Sequence, residues 1–216
     1  GGRVQIWSGQ SASKSTGSIA IQTRETETSS SGVSGTIVMS TGLAVSGNSG
    51  TIRIGTGKTN AGGRAGSIYL TGGQTGHTVE GGEIVLSAGD TAAAGKTGGR
   101  VQIWAGMSGD TTSGSVAIQT RDVANGGEGL SGMIVLSTGS SVSGNSGAFY
   151  IGSGDAGNGG RAGSVYVSSG SGNTGTGGEI VLSAGKTVDT TGGRVQIWSG
   201  QSASKSTGSI AIQTRE

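Results

Sequence analysis

Residues Gly1 to Glu25 return letter for letter as Gly192 to Glu216, and a diverged copy stands at Gly98 to Asp122. A chain that repeats itself over such a length builds its fold from one unit used many times. Alignment on the glycine that opens Gly-x-(Ile/Val)-x-(Ile/Leu)-x-(Ser/Thr/Ala)-Gly gives fourteen units, from Gly2 to Gly208, spaced 15 to 18 residues apart. Position three is β-branched or Phe throughout, from Val4 and Ile19 to Phe149 and Ile210. Position five is Ile, Leu, Met or Val, from Ile6 and Met39 to Val167 and Ile212.

Apolar residues at three and five with polar ones between them have a period of two, the mark of a half-buried strand. Short strands at near-constant spacing predict an all-β fold, a single-chain parallel β-solenoid (β-helix) of about fourteen coils of 15–18 residues. Its ends are uncapped. Position eleven, with Ala12, Val45, Ala92, Val142, Val188 and Ala203, predicts a second, thinner wall and hence a flattened coil. Glycines at positions one and eight are expected at the corners, where φ > 0 or a close approach excludes a side chain. The longer tails Glu25–Ser34 and Asp122–Ser131 read as protruding loops.

A second period overlies the first. The GRVQIW unit returns at Gly2, Gly99 and Gly193, every six coils. Residues 1–216 therefore read as one continuous solenoid of six-coil super-repeats, 1–97 and 98–191, with the start of a third at 192–216. At about 4.8 Å per coil, twelve coils give an expected axial repeat of roughly 57 Å. Because the two ends are the same place in the repeat, the expectation is that the object continues past them, covalently or by end-to-end pairing.

Composition narrows the function. With Gly 49, Pro 0, Cys 0, 3% aromatic and 12% charged residues, the chain has little bulky apolar surface for a thick core. Glycine does not fall at every third position and proline is absent, which excludes collagen. The net charge of +2 with no basic run gives no nucleic-acid footprint. No apolar stretch approaches the length of a membrane span. Disulfide staples are excluded, and no Asn-x-Ser/Thr acceptor for N-glycans occurs.

No catalytic constellation emerges. The one histidine, His77, has neither a cysteine nor a carboxylate cluster beside it, and no serine stands in a nucleophile elbow. Asp90, Asp110, Asp155 and Asp189 occur singly at differing offsets, which does not make the stacked calcium repeat of some glycine-rich coils. Stretches such as Gly152 to Gly157 lack the Gly-Lys-Ser/Thr of a phosphate loop. No enzyme, metal or cofactor is expected.

Two kinds of residue remain as interaction candidates. Trp7, Trp104 and Trp198 occupy outward position six once every six coils, and Tyr69, Tyr150 and Tyr166 occupy outward position four. They form a regular aromatic row of the kind that interfaces enrich, for a neighbouring filament or a polysaccharide. Stacked coils would place Arg53 over Tyr69 and Tyr150 over Tyr166. The same stacking would bring Glu83 beside Arg100 and Glu179 beside Arg194 as inter-coil charge pairs.

The run from Gly170 to Gly200, GSGNTGTGGEIVLSAGKTVDTTGGRVQIWSG, has the cadence (Ser/Thr)-Gly-Gly-x-(Ile/Val)-x-(Ile/Leu)-x-(Ser/Ala)-Gly. It resembles the Gly/Ser/Thr-rich repeats of long secreted or cell-surface proteins of diatoms and related microalgae. The resemblance implies a secreted solenoid and carries over no catalytic residue. The functional expectation is a self-associating, non-catalytic segment of an extracellular or cell-surface fibre or filament. Its partner is itself and, as a second possibility, extracellular polysaccharide, with no nucleic acid and no membrane span. Two alternatives stand beside it: an ice-binding solenoid, against which the mixed outward residues speak, and a polysaccharide-binding surface adhesin module.

Overall fold

The computed structural model describes residues 2–12, 15–26, 32–60, 62–76, 80–123 and 129–214. Among them there is no helix and no β-strand. The fold is therefore not the expected all-β solenoid, or β-helix. A solenoid needs a continuous ladder in which each coil pairs with the next along its strand. Here successive units share at most one backbone hydrogen bond at each junction among the described residues. The expected 4.8 Å coil rise, and the axial repeat built on it, lose their basis with the ladder.

What recurs instead is a junction. Call positions one to eight of each unit the octet and the rest its tail. The opening glycine of every octet after the first sits against position seven of the octet before it. A Cβ built on Gly17 would lie 3.5 Å from the Ser8 Cβ, one on Gly66 2.9 Å from the Thr56 Cβ, and one on Gly193 3.3 Å from the Ala184 Cβ. Seven junctions add a backbone bond, in which the opening N–H donates to the carbonyl of the preceding position-eight glycine. These are Gly17 to Gly9 (3.0 Å), Gly82 to Gly73 (2.9 Å), Gly99 to Gly89 (2.8 Å), Gly114 to Gly106 (2.8 Å), Gly178 to Gly170 (3.1 Å), Gly193 to Gly185 (2.9 Å) and Gly208 to Gly200 (2.8 Å). The contact joins the end of one octet to the start of the next. Parallel stacking would have joined start to start.

The glycines at position one are required by close approach. A Cβ on Gly82 would stand 2.7 Å from the Gly73 nitrogen, a distance at which backbone would have to move. Positive φ falls elsewhere, in the tails: Gly47, Gly62, Gly95, Gly159 and Gly175, with Asn158 (φ 37) beside Gly159. Of the two geometries expected for these glycines, close approach holds at position one, and φ > 0 is found at neither position. Position one needs room, and at most position-eight glycines, Gly89 and Gly185 among them, an added Cβ would meet nothing within 4 Å.

Coverage of the apolar positions follows the junctions. Position three is 46–55% exposed from Ile19 to Ile210, whereas Val4, in the first octet of residues 1–216, is 90% exposed. Position five is 60–75% exposed from Ile6 to Ile197, whereas Ile212, in the last octet of residues 1–216, is 87% exposed. Position three is therefore sheltered by the preceding octet and position five by the following one. Val45, Val142 and Val188 are almost fully exposed, so position eleven forms no second wall.

No described residue is buried, and the accessible surface is 22376 Å². For a 20.7 kDa chain, a compact monomer would expose roughly 9,000 Å² and an unfolded one roughly 30,000 Å². The physical reason lies in the composition. Each unit offers two apolar side chains against many glycines, whose ordering costs more backbone entropy than that of any other residue.

The chain divides into two compact units, Gly1–Val116 and Ala117–Glu216. The first contains the junctions from Gly17 to Gly114 and the second those from Gly132 to Gly208, with the same octet contact in each.

Candidate interaction surface

The junctions differ in chemistry, and their order has a period of six. The first, fifth and sixth (at Gly17, Gly82 and Gly99) carry the backbone bond, as do the seventh, eleventh and twelfth (at Gly114, Gly178 and Gly193). At the fourth and tenth, the position-seven hydroxyl takes over. Thr56 Oγ1 donates to the Gly66 carbonyl at 3.0 Å, and Ser153 Oγ to that of Gly163 at 2.9 Å. The eleventh has both kinds, since Ser169 Oγ donates to the Gly178 carbonyl at 2.9 Å. The period of six read in the letters is also a period in bonds.

The aromatic candidates lie on the surface. Trp7, Trp104 and Trp198 are 79–82% exposed, and Tyr69, Tyr150 and Tyr166 are 85–91% exposed. Rings as open as those of Tyr150 and Tyr166 do not stack on each other, so the expected placing of Tyr150 over Tyr166 is absent. The near-equal exposure of the three tryptophans, once every six units, keeps them equivalent. Glu83 and Arg100, and likewise Glu179 and Arg194, share position two of consecutive octets. An end-to-start junction does not set position two against position two. No ion pair joins either couple among the described residues.

Eight residues that sequence reasoning passed over line two open spaces among the described residues. Gln22, Thr23, Arg24 and Glu25 line a space of about 870 Å³. Gln119, Thr120, Arg121 and Asp122 line one of about 590 Å³. Both sit at positions six to nine of the units with the longest tails, at the second and eighth junctions. There Arg24 and Arg121 stand where most octets have a closing glycine. Thr23 and Thr120 pack their methyl groups on the next opening glycine, with Cγ2 2.9 Å from a Cβ built on Gly35 and Gly132 respectively. The signal was present in the sequence. Between the copies at Gly1 and Gly98, Gln-Ser-Ala-Ser-Lys-Ser-Thr became Met-Ser-Gly-Asp-Thr-Thr-Ser, while Gln-Thr-Arg-acid stayed intact.

His77 lies outside the described residues. Among the described residues no three His, Asp or Glu side chains gather as a metal site, and no helix is long and apolar enough to cross a membrane. No protein-family model, curated protein or solved structure matches the chain.

Proposed function

We propose that the chain is a non-catalytic structural segment of an extracellular or cell-surface fibre or filament, and that it self-associates. The observation that carries this reading is the equal, partial exposure of positions three and five in octet after octet. A surface left open at regular intervals along one chain is matched by the same surface on another copy. Burying it supplies the apolar contact that a single chain lacks. The exposed tryptophans, one per six units, add flat anchors at a longer interval. The resemblance to repeats of secreted and cell-surface proteins supports the extracellular setting.

Sedimentation velocity with electron microscopy over a concentration series tests it. Assembly into filaments that grows with concentration is expected. A monodisperse monomer of 20.7 kDa at millimolar concentration, with no filaments, overturns the proposal.

A further inference from the structure

We propose that Asn158 is a site of covalent self-modification, where the Asn158–Gly159 linkage converts to aspartyl and isoaspartyl forms with water as the only co-reactant. The tail before the tenth junction turns sharply at 157–160. Both central residues have positive φ, 37° at Asn158 and 84° at Gly159. The Gly160 N–H donates to the Gly157 carbonyl at 3.2 Å. This is the pattern of a type I′ turn, which Asn-Gly suits because asparagine tolerates the left-handed region and glycine enters it freely. Among the described residues, Asn158 is the one non-glycine with positive φ. It is exposed, and neither its carboxamide nor the Gly159 N–H is hydrogen-bonded. A Cβ built on Gly159 would meet nothing within 4 Å, so the space beside that residue is open to the neighbouring side chain.

The Gly159 nitrogen gives its proton to solvent and attacks Cγ of Asn158. An N–Cγ bond forms and closes a succinimide ring, the Cγ–Nδ2 bond breaks, and Nδ2 leaves as ammonia with a proton from water. Water then opens the ring. Its attack at Cγ gives isn't-shifted backbone only when the ring's other bond is kept, so the two directions differ: breaking N–Cγ restores a normal aspartyl linkage, and breaking the bond from N to the backbone carbonyl carbon leaves an isoaspartyl one. Ring closure needs the turn to open, and one water-exposed hydrogen bond holds it. Glycine is the residue that allows the attack, since it has no Cβ in the way and a freely rotating backbone. The chain carries its own comparison. The matching tail before the fourth junction has Gly62 (φ 66°) where this one has Gly159, but Asn60 is followed there by Ala61. Asn48 and Asn145 are followed by serine, and Asn173 by threonine. An isoaspartyl residue lengthens the backbone of the tail by a carbon and sets a new carboxylate near Arg161. That tail brings the Ser153 hydroxyl to the Gly163 carbonyl at 2.9 Å. The tenth junction therefore loosens as the chain ages, while the fourth keeps its bond from Thr56 to Gly66.

Ageing the full 216-residue chain at mildly alkaline pH, followed by mass spectrometry with electron-transfer fragmentation, tests the proposal. The fragments locate each change from amide to acid and tell isoaspartate from aspartate. They also separate Asn158 from Asn125, which precedes Gly126 outside the described residues. Conversion at Asn158 should outrun that at Asn48, Asn60, Asn145 and Asn173 by about tenfold or more, because only Asn158 among these precedes a glycine. It should yield isoaspartate together with aspartate and quicken as pH rises, since the attacking nitrogen must lose its proton. Gly159→Ala should slow it by about tenfold or more, because a Cβ hinders the attack. A second readout follows the junction: in the converted chain the carbonyl carbon NMR shift of Gly163 should move, while that of Gly66 stays. Conversion at Asn158 no faster than at Asn60 overturns the proposal. So does conversion to aspartate alone, an unslowed Gly159→Ala variant, or an unmoved Gly163 shift.

Discussion

The Gly99 N–H donates to the Gly89 carbonyl at 2.8 Å, and six units later the Gly193 N–H donates to that of Gly185 at 2.9 Å. Both bonds fall where an octet of the form Glu-Ile-Val-Leu-Ser-Ala-Gly ends and one of the form Arg-Val-Gln-Ile-Trp begins. The junction, rather than a sheet, is the element that this chain repeats.

Hydrogen exchange by NMR should resolve the junction types. The amides of Gly17, Gly82, Gly99, Gly114, Gly178, Gly193 and Gly208 are bonded. They should exchange about severalfold more slowly than those of Gly50, Gly66, Gly147 and Gly163, for which no such bond forms. Equal rates across the openers would remove the six-unit order of bonds.

Alanine should discriminate positions one and eight. Gly82→Ala forces a Cβ to 2.7 Å from the Gly73 nitrogen and should abolish the slow exchange of its own amide. Gly89→Ala meets nothing within 4 Å and has no positive φ. It should preserve the Gly99 bond and stabilise the loop by about 0.4–1 kcal/mol, since alanine has less freedom to lose. Heteronuclear relaxation of the two variants reports both effects, and a reversed order would contradict the close-approach account.

The hydroxyl junctions lend themselves to a conservative test. Ser153→Ala removes the donor to the Gly163 carbonyl, and Thr56→Val the donor to that of Gly66. Each loss should cost about 0.5 kcal/mol, the low end for a hydrogen bond exposed to water. The carbonyl carbon shifts of Gly163 and Gly66 should move upfield, while those of Gly17 and Gly114 stay in place. Unmoved shifts at both sites would show the hydroxyls to be idle.

Core-like behaviour is not expected at position three. Ile68 is 50% exposed, so Ile68→Ala should cost about 1 kcal/mol or less, below the range for a fully buried side chain. Val4→Ala should cost almost nothing, because Val4 is already 90% exposed. Urea titration monitored at the neighbouring glycine amides checks both. A loss of several kcal/mol at Ile68 would mean a ladder after all.

Replacing Trp7, Trp104 and Trp198 together by Ala tests the aromatic row. Their 79–82% exposure leaves little internal contact to lose, so hydrogen exchange of the single chain should be unchanged. The concentration needed for assembly should rise by about tenfold or more, the effect of removing a large aromatic anchor per repeat. An unchanged assembly threshold would exclude the tryptophans from the interface.

Much of the organisation was legible in the letters. The octet, its opening glycine, the two-residue alternation and the six-unit period follow from sequence. Each has a local counterpart: Gly82 has no room for a side chain, and Ile68 at 50% exposure is more covered than its neighbour Tyr69 at 85%. The open spaces at Gln22 and Gln119 were equally written there, as the part of the unit that survived while the tail before it changed. They were missed because none of their four residues is unusual by itself.

How the units meet was not legible. Alternating apolar residues prescribe a face but not the neighbour that covers it, and the same pattern suits start-to-start stacking and end-to-start closure. The sequence by itself determined where each unit opens, which of its side chains are apolar, and how often the pattern returns. Only the tertiary structure decided that Gly99 meets Ala88 and Gly89 rather than Gly82, and that no ladder forms among the described residues. The reason is energetic. With two apolar side chains per unit and glycine at 49 of 216 positions, ordering the backbone into a continuous ladder costs more than one chain's burial returns.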